Sequence, residues 1–152
     1  MPQALVKIGT NHVEACSPVE ADEKGIIYYV KVQNSGTSDA SLSALEFVTA
    51  DGLTVVEASI MEPPANYLVD AYPPESLDKQ AWDARIALGR PDAIVAAGGE
   101  VHVYFAVQQT DRKKSGTGRD LILSYTQDNR DATTRSSGNV YTLPQDGAQS
   151  CD

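Results

Sequence analysis

Few residues in this chain combine the types and spacings that chemistry needs. His12 and His102 are its two histidines. Val101 and Val103 flank His102 in an alternating run, which makes the imidazole outer-face or edge decoration on a strand. No Gly-x-Ser-x-Gly elbow presents a serine nucleophile. Gly116-Thr117-Gly118 begins like a phosphate cradle, but Leu121 stands where a dinucleotide fingerprint needs glycine, and a strand pattern follows in place of a helix. Asp128 and Asp131 could work as acid and base or hold calcium; within Asp128-Asn129-Arg130-Asp131 they read as a solvated turn. An isopeptide between Lys7 and Asn139 would need a buried lysine, and Lys7 lies opposite Val6 and Ile8. These residues predict a non-enzymatic chain with no cofactor and no metal. The competing class is an enzyme whose site carries no recognisable motif.

Cys16 and Cys151 lie near opposite ends of the chain. In an oxidising compartment they would close a long loop and staple the tail to the first strand; in a reducing one they are two thiols. Neither belongs to a Cys-x-x-Cys or Cys/His cluster, so metal binding is disfavoured. A net charge of −9, from 21 acidic against 12 basic residues, argues against nucleic acid. The one basic cluster is Arg112, Lys113, Lys114 and Arg119 around Gly116-Thr117-Gly118. It reads as a solvated hairpin loop, with a docking loop for an acidic partner as the alternative. No apolar run approaches the roughly 20 residues that span a bilayer, and Met1 to Lys7 has no signal-peptide pattern.

The elements that must position these groups are strands. Between Lys24 and Ile60, the residues Ile26, Tyr28, Val30 and Val32 share one face of a period-2 run, opposite Lys31 and Gln33. A polar turn from Asn34 to Asp39 follows, then Leu45 and Phe47 on one face, an Asp51-Gly52 hairpin signal, and Val56, Ala58 and Ile60. Met61-Glu62-Pro63-Pro64 and Tyr72-Pro73-Pro74 bracket a connection that cannot be a central strand. Leu77 to Leu88 fits helix or strand; the period-2 placement of Trp82, Ile86 and Leu88 favours a strand over 81–88, with Trp82 as a core anchor. Val101, Val103, Phe105 and Val107 alternate in a further strand. Leu121, Leu123 and Tyr125 make the next, and 139–143 the last. The reading is an all-β, immunoglobulin-like antiparallel sandwich of about seven to nine strands. One domain covers 1–143, with a Pro-rich connection over 61–80 and a polar tail over 144–152.

The run from Gly25 to Gly36, an apolar strand, Asp51-Gly52-Leu53-Thr54-Val55, and the turn at Ala97 leading to Val107 resemble the repeat domains of bacterial surface proteins, the CARDB-type adhesion modules among them. The resemblance covers most of the chain outside 61–79 and implies a binding, spacing or decorating role without catalytic residues. A single copy with no leader also resembles the free-standing accessory sandwiches of phage capsids and tails. On those two features a virion accessory protein is expected first, and a cell-surface repeat second. The expected partner is a protein assembly and not a small molecule. Seven tyrosines against two phenylalanines point to a half-exposed contact surface. Tyr29 and Tyr104 are its first candidates, with Tyr67 and Tyr72 in the connection as a second.

Overall fold

A computed structural model describes residues 5–9, 13–61, 70–74, 79–148 and 150–151. Among the described residues, twelve strands and one short helix are present: β1 (Val6–Ile8), β2 (Glu14–Cys16), β3 (Gly25–Asn34), β4 (Ala40–Asp51), β5 (Leu53–Ile60), β6 (Asp70–Tyr72), α1 (Lys79–Asp83), β7 (Ile86–Ala87), β8 (Ile94–Val95), β9 (Glu100–Gln109), β10 (Gly116–Gln127), β11 (Arg130–Arg135) and β12 (Val140–Leu143). They form an immunoglobulin-like sandwich of two six-stranded sheets. The first runs β1-β3-β9-β5-β7, with β6 sharing the β1 edge of β3; the second runs β2-β12-β10-β4-β8, with β11 sharing the β12 edge of β10. The excess over seven to nine strands lies in two- and three-residue pieces that pair only along edges.

Alternation works as expected between the sheets. Tyr28, Val30 and Val32 meet Val103, Phe105, Leu121, Leu123 and Tyr141 in the main core. The rings of Tyr28, Phe105 and Tyr141 sit at its centre, with centroids 4.8 to 5.9 Å apart. Yet β3 and β9 are buried on both faces. Ile27, Tyr104, Ala106 and Met61 form a second cluster on the outside of the first sheet, with Tyr29, Tyr72, Ala81 and Trp82 packed on it.

Three expectations need correction. The 81–88 strand is restricted to Ile86–Ala87, because Lys79–Asp83 coils into one helical turn that lays Trp82 on the outer cluster, outside the inter-sheet core. Asp51-Gly52 does not close a hairpin: β4 and β5 belong to different sheets, and Gly52, at φ 71°, turns the chain from one to the other. Gly116 and Gly118 are not loop residues. They lie inside β10, where a Cβ on Gly118 would come within 2.6 Å of the Phe47 ring and one on Gly116 within 2.5 Å of the Gly52 carbonyl. The solvated loop is the shorter stretch 110–115. The Asp128-Asn129 turn stands as read. Both residues adopt positive φ, 54° and 61°, the geometry of a two-residue hairpin joining β10 to β11.

Two outcomes follow from this packing. Gly118→Ala should cost about 1–3 kcal/mol in chemical denaturation, because the added methyl displaces the Phe47 ring. In a Phe47→Ala background the same change should cost close to nothing; equal costs in both backgrounds would show that the ring does not set the requirement. The second outcome concerns alkali. Burial pushes the Tyr28 phenol up from 10.0 to about 12, against a smaller opposing effect of its bond to Ser17, and burial also raises Tyr141. The folded state holds this proton more tightly than the unfolded chain does. The stability it contributes is complete below pH 10 and is lost as pH rises from 10 to 12. Denaturation midpoints should fall over that window, and Tyr28→Phe should flatten the fall.

Candidate interaction surfaces

The loop after β9 is held by side chains that the chain brings from far apart. Arg112 Nε donates to Asp146 Oδ1 at 2.7 Å, and its Nη atoms donate to the carbonyls of Glu23 at 2.7 Å and Glu20 at 3.2 Å. Gln109 Nε2 donates to the carbonyls of Lys114 and Pro144. Cys16 and Cys151 are joined by a disulfide with a Cα–Cα distance of 6.0 Å. Arg112 therefore clips the acidic 19–23 connection and the C-terminal tail together, and is committed inside the molecule. Lys113 and Lys114 remain exposed beside it. The tail after Leu143 is packed against this end, since Pro144 is buried and Asp146 N donates to the Arg112 carbonyl.

Of the half-exposed tyrosine surface expected on the outer face of the first sheet, Tyr29 is part-exposed and Tyr104 is not. Tyr104 is 3% exposed beneath the second cluster. Tyr29 is half-buried, with ring centroids 5.4 Å from both His102 and Tyr104. Alternation correctly placed both rings on the outer face, but Tyr72, Ala81 and Trp82, from the chain after β5, pack on that face. His102 likewise points outward and stacks on Tyr29, with its ring part-covered. Tyr72 donates to Glu57 Oε2 at 2.7 Å, and Arg85 Nε donates to Glu57 Oε1 at 2.7 Å. Arg85 lies 3.8 Å from the centroid of the Trp82 ring, which meets Tyr72 edge-on. Burial, then the Glu57 carboxylate, raise the Tyr72 phenol above its ordinary value. Glu57, Trp82 and Arg85 thus pin the covering connection to β5. Sequence reasoning missed this group; its signal was the helical spacing of Trp82 and Arg85. Tyr67 and His12 lie outside the described residues.

The other residues considered for chemistry are far from one another or engaged in turns. Lys7 is exposed on β1, while Asn139 is buried ahead of β12 in the opposite sheet. Asp131 accepts from Thr126 Oγ1 across the hairpin, and Asp128 sits in its turn. Among the described residues, no group of three or more His, Cys, Asp or Glu is arranged to hold a metal ion, and no helix is long and apolar enough to cross a membrane.

Another surface is the side where β4 and β5 lie. β8 pairs with β4 only at Ala40 and Ser41, and β7 with β5 only at Ser59 and Ile60. Among the described residues, no strand lies beside the outer edges of 44–51 and 53–57. A groove of about 190 Å³ runs between these edges, lined by Glu46, Phe47, Ala50, Leu53, Thr54 and Val55. Val48 on β4 and Val56 on β5 are 38% and 42% exposed.

No known protein family and no curated protein matches the sequence. Among solved structures the chain is similar to the ASH / PapD-like domain of human CEP192 (PapD-like domain 7), at 10% identity and a TM-score of 0.43, covering 98% of this chain and 92% of that one. It is also similar to part of the Vibrio cholerae VesB protease, at 10% identity and a TM-score of 0.40, covering 93% of this chain and 32% of that one. A third likeness is to the secreted serine protease VesC from Vibrio cholerae, at 12% identity and a TM-score of 0.32, over 84% of this chain and 21% of the protease. This chain therefore spans about a third and a fifth of the two proteases. Its assignment as an immunoglobulin-like sandwich rests on its own strand order and register.

Proposed function

We propose that this chain is a non-enzymatic module that docks on a larger protein assembly through the open β4/β5 side, taking an extended segment of the partner along its strand edges. The observation that carries the reading is the contrast between its two sides. One is closed by a disulfide and by Arg112; the other leaves two long strand edges with a groove of mixed polar and apolar lining between them and, among the described residues, no strand beside them. Edge strands supply backbone donors and acceptors, and a groove between them supplies pockets for alternate side chains. The exposed rim carries Glu46 and Asp51, and the chain has a net charge of −9. Like charge disfavours a second copy of the chain and favours a partner segment with Lys or Arg beside its apolar residues.

Of the two homes for such a module, the Cys16–Cys151 pairing supports the bacterial surface over the virion, because disulfides persist where the surroundings are oxidising. The partner contact can be tested with a photo-crosslinking amino acid at Val48 or Val56, and at Thr133 on β11 as a control, in the source cells. A single protein adduct at the first two positions and none at Thr133 is the expected result. Val56→Lys should then release the chain from the assembly in sedimentation. Equal adducts at all three positions, or sedimentation unchanged by Val56→Lys, would overturn the proposal.

A further inference from the structure

The open side of β4 is defined by its backbone as well as by its side chains. On the neighbouring strand β10, Leu121 N donates to Ser136 Oγ at 2.7 Å, and the Leu121 carbonyl accepts from Ser136 N at 2.9 Å. Both groups point away from β4. In an antiparallel ladder a residue exchanges both hydrogen bonds with the one opposite, or neither. Phe47 lies opposite Leu121, so its N–H and C=O point to the edge of β4 that faces away from β10. Leu42, opposite Tyr125, shows the same phase: on that edge its N–H donates to the Ala93 carbonyl and its C=O accepts from Gly89 N. No described residue takes the corresponding groups of Phe47.

This edge is open over 46–51. Leu45 is buried, whereas Glu46 and the residues 48–51 are exposed and Phe47 is part-buried. On β5 the opening is shorter. The Gly52 carbonyl accepts from Thr110 N and the Ala58 carbonyl from Leu88 N, each at 3.0 Å, and Leu53 is buried. The bulge at Val56 bends the stretch between them. An added strand therefore finds an even edge on β4 and not on β5. The groove of about 190 Å³ beside that edge is smaller than the roughly 300–1,000 Å³ of small-molecule pockets. Leu53 lies at its floor, and the walls that an incomer reaches are Phe47, Ala50, Thr54, Val55 and Glu46. Such a mixed lining suits one short, β-branched side chain.

We infer that the partner's segment adds to the second sheet as a strand beside β4 over 46–51, with a valine, isoleucine or threonine opposite Phe47 and a lysine or arginine opposite Glu46. The inference rests on the docking reading above and specifies its occupant. A residue opposite Phe47 shares its face, so it turns into the groove while its main chain takes both free Phe47 groups. Its two neighbours face the other way, beside Glu46 and Val48. Among the described residues no cation pairs with Glu46, and the chain carries a net charge of −9, so a cation belongs opposite that carboxylate. Val48, exposed on the same face, takes an apolar neighbour. Either strand direction keeps this alternation and changes only the order in which the cation and the apolar residue occur.

The probe is a displayed library of random octapeptides panned on the intact, oxidised chain, with the recovered sequences then made as synthetic amides. They should alternate, with Lys or Arg next to a β-branched residue. Bound peptide should slow hydrogen exchange at the Phe47 amide and shift the Glu46 and Val48 signals. N-methylation along the peptide should weaken binding about five- to tenfold at alternate positions only, the worth of one backbone hydrogen bond, and this arm needs no protein variant. Glu46→Lys should turn the preference from Lys to Glu, by about two- to fivefold each way for an exposed pair. The inference is overturned if no alternating peptide is recovered, if N-methylation costs the same at every position, or if Glu46→Lys leaves the charge preference unchanged. Protection of Phe47 without peptide, through pairing of two copies of the chain, would overturn it too. Should any of these results accompany protein adducts at Val48 and Val56 in cells, docking stands and strand addition falls; without the adducts, both fall.

Discussion

Across the ladder between β3 and β9, Tyr28 pairs with Phe105 and Tyr29 with Tyr104. Successive residues on a strand point to opposite faces, so this one pairing puts apolar groups on both sides of the first sheet. A sheet in that position needs two covers. The second sheet is one of them, brought by β4, β10 and β12 with Leu121, Leu123 and Tyr141. The other is local: the chain after β5 folds back and lays Trp82 and Ala81 over Ile27, Tyr104 and Ala106. The Glu57–Arg85 contact at 2.7 Å and the Tyr72 hydrogen bond to the same carboxylate hold that second cover in place. Both partners of the ion pair are part-buried, so each is more than a screened surface charge, and removing one would strand the other.

The perimeter of the sandwich is unevenly finished. Where β1 passes into β2, the tail, the first connection and the loop after β9 meet, bound by the disulfide and by Arg112. A crosslink over a sequence separation of 135 residues removes much freedom from the unfolded chain, about 5 kcal/mol in the entropic model. On the far side, among the described residues, the outer edges of β4 and β5 have only the two-residue strands β8 and β7 beside them. Each carries a bulge there: Ser43 is the extra residue against β10, and Val56 the extra residue against β9. Bulges twist an edge out of the flat geometry that invites indiscriminate pairing.

Much of the fold was legible because alternation and turn chemistry are local. The inward face of β3, the strand from Val101 to Val107 and the Asp128-Asn129 turn all appear where period and residue type put them. What was not legible depended on contacts between distant segments. Ile26-Ile27-Tyr28-Tyr29-Val30 is an unbroken apolar run, the mark of a strand buried on both faces. Reading only its alternate residues left Tyr29 and Tyr104 assigned to a half-exposed contact surface. Gly118 looked like loop punctuation because nothing near it in sequence shows that the Phe47 ring will lie across it. Asp51-Gly52 carried a true turn signal, but a turn does not say whether its two strands will share a sheet. Asn139 was considered only as a partner for Lys7; its burial and its unpaired oxygen arise from the crossing between the sheets.

The tyrosines show why composition alone does not locate an exposed surface. A phenol suits a boundary between apolar and polar surroundings, and an external interface is only one such boundary. In this chain several boundaries are internal. Tyr28 reaches from the main core to Ser17 on the first connection. Tyr72 reaches from the outer cluster to Glu57 on β5. Tyr141 carries its ring into the core and takes the Asn139 amide at its hydroxyl. Each ring fills space on one side while its oxygen ties the core to a peripheral segment that lacks enough apolar surface to pack by itself. A sheet covered on both faces creates more of these junctions than a sheet with one wet face. Once those junctions have taken up these three phenols, tyrosine content by itself no longer locates an exposed surface.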